Sequence, residues 1–186
     1  MGEILDLIFG FLGAVTGGII TVLVGPWVAE KFKIRENYIV PFREWCTEFY
    51  GNLNEFDYRY TDKNKGNLDK LSDIQIILDY RSLHDCLIDS HKWLGKISKE
   101  NEDVSDLLTK LEEVVDGFWH HLEDQHPDKL PSVGDVKEFN RNIKLLSRDD
   151  RKEIADKIRA HLSLNIPEYS SKNFRKIREY LIDMIP

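Results

Sequence analysis

The chain has only two cysteines, six prolines and eleven glycines in 186 residues. Two cysteines cannot staple a chain of this length, which excludes a disulfide scaffold. So few prolines and glycines exclude collagen-like and low-complexity sequence. With 26 basic against 33 acidic residues the formal net charge is −7, so the surface as a whole is not suited to general nucleic-acid binding. Catalytic signatures are missing as well. No Gly-x-x-x-x-Gly-Lys-Ser/Thr loop, Gly-x-Gly-x-x-Gly turn, Gly-x-Ser-x-Gly elbow or His-Glu-x-x-His pair occurs. No cofactor is implied, and the length suits one or two domains.

What is present begins with an uneven spread of apolar residues. The mean hydropathy is −0.42, yet residues 7–28 carry no charge over 22 positions. At 1.5 Å per residue this run spans about 33 Å as a helix, against about 30 Å of bilayer hydrocarbon. A buried core helix rarely stays uncharged on every face for so long. A cleaved signal peptide wants a positive start, whereas Glu3 and Asp6 stand there. The run reads as a transmembrane helix with Trp27 at the interface. Lys31, Lys33 and Arg35 follow it, so the positive-inside rule puts the N-terminus outside and the C-terminal body in the cytoplasm. Cys46 and Cys86 are then free thiols in a reducing compartment.

The run is rich in small residues. Gly13, Gly17 and Thr21 form one row at four-residue spacing, and Gly10, Ala14 and Gly18 form another. Such rows let helix backbones touch, and lipid cannot supply a hydrophobic drive for association. They predict a homo-oligomer. Pro26 and Pro41 each remove a helical hydrogen bond, so a continuous rod leading from the run is not expected.

Beyond Pro41 the periodicity is helical throughout. Phe42, Trp45, Cys46, Phe49, Leu53, Phe56 and Tyr60 form one apolar stripe. The spacing predicts further helices over 72–97, 101–125 and 135–146, one opened by Ser147 and Asp150 as a capping box, and a last one after Pro167. The expected fold is all-α: an N-terminal transmembrane anchor (1–29), a juxtamembrane connector (30–40) and an antiparallel bundle of about five to six helices in a cytosolic domain (41–186).

Charge is segregated along this body. Residues 99–135 hold 11 acidic and 3 basic side chains, and residues 137–178 hold 12 basic and 6 acidic. Arg141, Lys144, Arg148, Arg151, Lys152, Lys172, Arg175, Lys176 and Arg178 form a candidate surface for an anionic lipid or a phosphorylated ligand. The alternative is that acidic and basic helices pair within the chain. His120, Glu123 and His126, three residues apart, are weak candidates for a metal. His120-x-x-Glu123 reverses the Glu-x-x-His order of di-iron bundles, and near a helix end histidines have a plain electrostatic role. His84, Asp85 and Cys86 are adjacent on a helix and point in different directions, so they form no catalytic relay.

These features describe a membrane-anchored, cytosol-facing binding, sensing or scaffold protein that self-associates without catalysis. The alternatives are a pore-forming effector controlled by its cytosolic body and, third, a metal-dependent enzyme. If the small-residue rows are the interface, leucine at both Gly13 and Gly17 blocks close approach and costs on the order of 1 kcal/mol in packing. Crosslinking in membranes is then expected to show loss of oligomer with the protein still membrane-bound. Unchanged oligomer size means that the glycines are not the interface.

Overall fold

The computed structural model describes residues 25–60, 71–127, 129–130, 136–165 and 168–185. The chain divides into two compact units, residues 1–44 and 45–186. Among the described residues every regular element is a helix, so the chain is all-α as its periodicity predicts.

In the first unit, α1 (Gly25–Ile34) runs into a π-helical turn (Arg35–Ile39), which runs into α2 (Val40–Tyr60). This corrects the expectation that Pro41 interrupts the path, since the backbone is helical from Gly25 to Tyr60 without a break, while the run that leads into Pro26 lies outside the described residues. Pro41 lacks an N–H, and its ring crowds the carbonyl four residues back. The wider π turn relieves that crowding: the N–H of Val40 bonds to the carbonyl of Arg35, five residues back. Trp27, Phe32, Ile34 and Tyr38 are exposed here, and Lys31 Nζ lies 5.6 Å from the centre of the Trp27 ring. No helix among the described residues is long and apolar enough to cross a membrane. Positions 7–24 of the uncharged run, with Gly10, Gly13, Ala14, Gly17, Gly18 and Thr21, lie outside the described residues.

The second unit contains α2 from Trp45 onward, then α3 (Asp73–Ser90), α4 (Leu94–Glu100), α5 (Glu102–Gln125), α6 (Val136–Leu145), α7 (Arg148–Leu164) and α8 (Ser171–Met184). Among the described residues seven helices stand where five or six were expected, because the single helix expected over 72–97 is two. In an unbroken helix Trp93 stands about 120° round the axis from Leu87. A turn at 91–93 closes with Trp93 N–H bonding to Ser90 O at 2.8 Å, and both Trp93 and Ile97 become buried. Polar side chains start the helices. Ser72, Asn101, Ser147 and Ser170 each accept a hydrogen bond from the N–H three residues on, at 3.1–3.3 Å, each worth about 1 kcal/mol. The Ser147–Asp150 cap is the one its sequence predicts.

The α2 stripe from Trp45 to Tyr60 is core, with Cys46, Phe49 and Leu53 fully buried. Helix α3 packs against α5, α6 and α7. Its pairs with α5, Arg81–Glu123, His84–Asp116 and His91–Glu112, run in opposite directions along the two helices, which are therefore antiparallel. Between them lies Trp119, fully buried, with Tyr80, His84 and Phe139 around it at ring distances of 5.7–6.2 Å. Arg81 covers the Trp119 and Phe139 rings at 5.1 and 5.4 Å. A desolvated cation on such faces gains about 2 kcal/mol.

On the far side of Tyr80, His161 of α7 stacks on Phe118 at 3.8 Å. Its Nε2 lies 3.3 Å from the Tyr169 hydroxyl, and its Nδ1 lies 2.9 Å from Asn165 Nδ2. Burial pushes its pKa down to about 4. Below pH 6.5 the unfolded chain takes up a proton that the folded chain refuses until about pH 4. The stability His161 contributes is therefore whole above pH 6.5 and drains away as the pH falls toward 4. His126, lowered by burial and by Lys157, acts in the same direction. His161→Gln is expected to melt lower at pH 7 but to show a shallower fall in Tm between pH 6.5 and 4.5. Parallel Tm profiles for variant and parent contradict this.

Candidate functional site

Helix α8 has two faces. Phe174, Ile177, Tyr180 and Leu181 are buried, while Ser171, Lys172, Arg175 and Arg178 recur at three-residue and four-residue steps on the other side. That side meets the part of α2 that its core stripe leaves free: Gly51, Asn54, Glu55, Asp57, Tyr58 and Arg59. Between the two lies an open groove of about 1100 Å³. Its walls are fixed by packing beneath, where Phe56 contacts Phe174 and Tyr169 at 5.7 and 5.9 Å between ring centres.

The charges in the groove are unevenly paired. Arg178 bridges the helices, bonding Asp57 at 2.7 Å and Asn54 at 2.6 Å. Arg59 bonds Asp79 at 2.6 Å and Glu55 at 3.1 Å. These two cations are held and offset. Lys172 is exposed and joins no ion pair among the described residues. Arg175 has Glu179 at 3.6 Å, but both side chains are about two-thirds exposed, and such a pair contributes little. Lys172 and Arg175 are thus the exposed cations of the groove and the least firmly held of its four. The first turn of α8 carries no acidic residue, so the positive end of its dipole adds to them.

The nine basic residues singled out in the sequence do not form one surface. Lys172, Arg175 and Arg178 line the groove. Lys176 points elsewhere, with Asp103 at 3.7 Å. Arg141 and Lys144 on α6, and Arg148, Arg151 and Lys152 on α7, lie outside it. Arg151 donates to the carbonyl of Lys144 at 3.2 Å, tying the start of α7 to the end of α6. Pairing between the acidic and basic segments is also sparse. The α5 carboxylates Glu112, Asp116 and Glu123 are met by His91, His84 and Arg81, none of which belongs to the basic segment. Asp103–Lys176 and Lys129–Asp150 are ion pairs that join the two segments.

His120, Glu123 and His126 do not converge. His120 Nδ1 lies 3.2 Å from Glu123 Oε2, while Glu123 Oε1 accepts from Trp119 Nε1 at 2.7 Å. His126 turns into the protein, 2.9 Å from Lys157 Nζ and 3.6 Å from Glu153. Among the described residues no group of three His, Cys, Asp or Glu side chains is placed to hold a metal. Cys46 and Cys86 are free and buried, and burial pushes each thiol up to about 12. Asn52 Nδ2 lies 3.1 Å from Cys86 Sγ, and His84 bonds Asp116 at 2.9 Å. Cys86 is therefore no nucleophile activated by His84.

Sequence reasoning missed Gly51, Arg59 and Tyr58. The available signal was negative: the α2 stripe assigns them no place in the core, and a tyrosine left off a stripe so rich in aromatics has to face something else. Comparison with known protein families, curated proteins and solved structures finds no match to this chain.

Proposed function

We propose that this chain is a membrane-anchored, cytosol-facing helical binding protein. The N-terminal run holds it in the bilayer and self-associates through Gly10, Gly13, Ala14, Gly17, Gly18 and Thr21, while the body captures an anionic ligand and passes no substrate through a reaction. The observation that supports the binding role is the exposure of Lys172 and Arg175 in a groove whose other cations are firmly held by Asp57, Glu55 and Asp79. The anchor rests on the uncharged run at 7–28 and the cations that follow it.

The glycine-rich run also favours a second reading, a pore-type effector whose span opens membranes under control of the body. The two differ in one respect: an effector makes membranes leak on expression, and an anchor does not.

Topology is the first test. Cys46 and Cys86 are buried, so cysteines introduced at exposed positions report without interference. Gly2→Cys is expected to react with an impermeant thiol reagent on intact cells. Leu164→Cys, at a site 81% exposed, is expected to react only after permeabilisation. The reverse pattern overturns the orientation, and recovery of the chain in the soluble fraction overturns the anchor.

A further inference from the structure

We propose that the corner between α6 and α7 docks onto an anionic lipid surface, with its cations on the headgroups and Leu145 entering the layer between them. This is a second surface, which uses none of the groove residues.

The corner is built from two short faces. Arg141, Lys144 and Leu145 stand three and four residues apart on α6, and Arg148, Arg151 and Lys152 do so on α7. Each set therefore shares one side of its helix. Only Leu146 and Ser147 separate the two helices. Arg151 donates to the carbonyl of Lys144 at 3.2 Å, which holds the two sides next to each other.

The first observation is that these cations go unanswered within the protein. Among the described residues none of the five joins an ion pair. Residues 138–153 also hold four carboxylates. Of these, Asp150 is bonded by Lys129 at 2.6 Å and Glu153 by Lys157 at 3.0 Å. Glu138 and Asp149 are left against five cations. Asp149 lies in the first turn of α7, where the helix dipole already favours it. Basic side chains held near an anionic bilayer add their attractions one by one.

The second observation is Leu145. It is 77% exposed, while Leu146 is half-buried and Ile143 is buried. A single exposed leucine is ordinary by itself. This one shares its side of α6 with Arg141 and Lys144. Leu164, equally exposed, has no Lys or Arg within four positions. A polyanion such as RNA answers the cations but has no apolar layer to receive the leucine. A bilayer answers both: an apolar tip enters the headgroup boundary while long basic side chains keep their charged ends at the phosphates.

The test uses the full chain in nanodiscs, with an environment-sensitive fluorophore on Leu145→Cys. Cys46 and Cys86 are buried and do not take the label. In discs containing phosphatidylserine the emission is expected to shift to the blue and to be quenched by nitroxides on the acyl chains. In discs of phosphatidylcholine alone it stays as in water. High salt reverses the shift, because it screens the headgroups. Lys144→Gln, Arg148→Gln and Lys152→Gln together lower the docked-to-free ratio at least about tenfold. The melting temperature is retained, since exposed cations without partners contribute little to the fold. A label on Leu164→Cys is expected to stay unchanged in every disc. A Leu145 label equally exposed in both kinds of disc overturns the proposal, as does an equal shift at Leu164. Quenching by headgroup nitroxides alone overturns the entry of Leu145 into the layer. A shift produced by RNA in neutral discs and not by phosphatidylserine overturns the lipid surface in favour of a polyanion. A chain that does not enter discs defeats the anchor only. The same labels are then read on the chain mixed with phosphatidylserine vesicles, where the same outcomes decide.

Discussion

Helix α3 has neighbours on several sides, and that constraint governs the rest of the body. On its buried sides a helix so enclosed cannot turn polar side chains to water. Arg81 stands over Trp119, bonds Asp85 at 2.8 Å and lies 3.7 Å from Glu123. Glu123 in turn accepts the Trp119 indole N–H. His84 needs Asp116, and Tyr80 lies 3.2 Å from the Tyr169 hydroxyl. Each of these groups costs free energy if left alone in the interior. The partners come mainly from α5, so the register between α3 and α5 is specified by polar pairs as well as by apolar packing. Three carboxylates of α5 answer α3 and the turn after it: Glu123 meets Arg81, Asp116 meets His84 and Glu112 meets His91.

The groove inherits its shape from that core. Tyr169, bonded into the α3 network, packs on Phe56 and Phe174, which set α2 and α8 apart from below. Asp79 of α3 holds Arg59 at one wall, and Asp57 of α2 holds Arg178 across the floor. Side chains fixed in this way do not collapse onto Lys172 and Arg175. Lys172 and Arg175 therefore stay exposed.

Much of this was legible in the sequence, for reasons that can be named. The α2 and α5 stripes repeat strongly enough that Phe49, Leu53, Leu108 and Trp119 had only one side to face, and all are buried. Ser147 and Asp150 carry their cap in local chemistry. The break at 91–93 was not legible, because it serves Trp93 and Ile97, whose burial depends on helices elsewhere in the chain. The continuity through Pro41 was missed because the π turn is a backbone accommodation that side-chain patterns do not signal. The basic residues illustrate the same limit. Counting them located a charged stretch, but whether Lys172 and Lys176 share a surface depends on which neighbour each meets. Arg59 and Tyr58 entered the site from a helix more than a hundred positions earlier, beyond the reach of local spacing.

Arg81 ties α3 and α5 into one unit that opens as a whole. Native-state hydrogen exchange on the full chain, read at Tyr80, Leu83 and Leu87 and at Val115, Trp119 and Leu122, measures this directly. The amides of both helices are expected to be the slowest in the body and to open together. Arg81→Ala is expected to lower the protection of both by the same amount, about 3 kcal/mol, because Glu123 is left enclosed without its cation. Faster exchange confined to α3, with α5 still fully protected, contradicts the account.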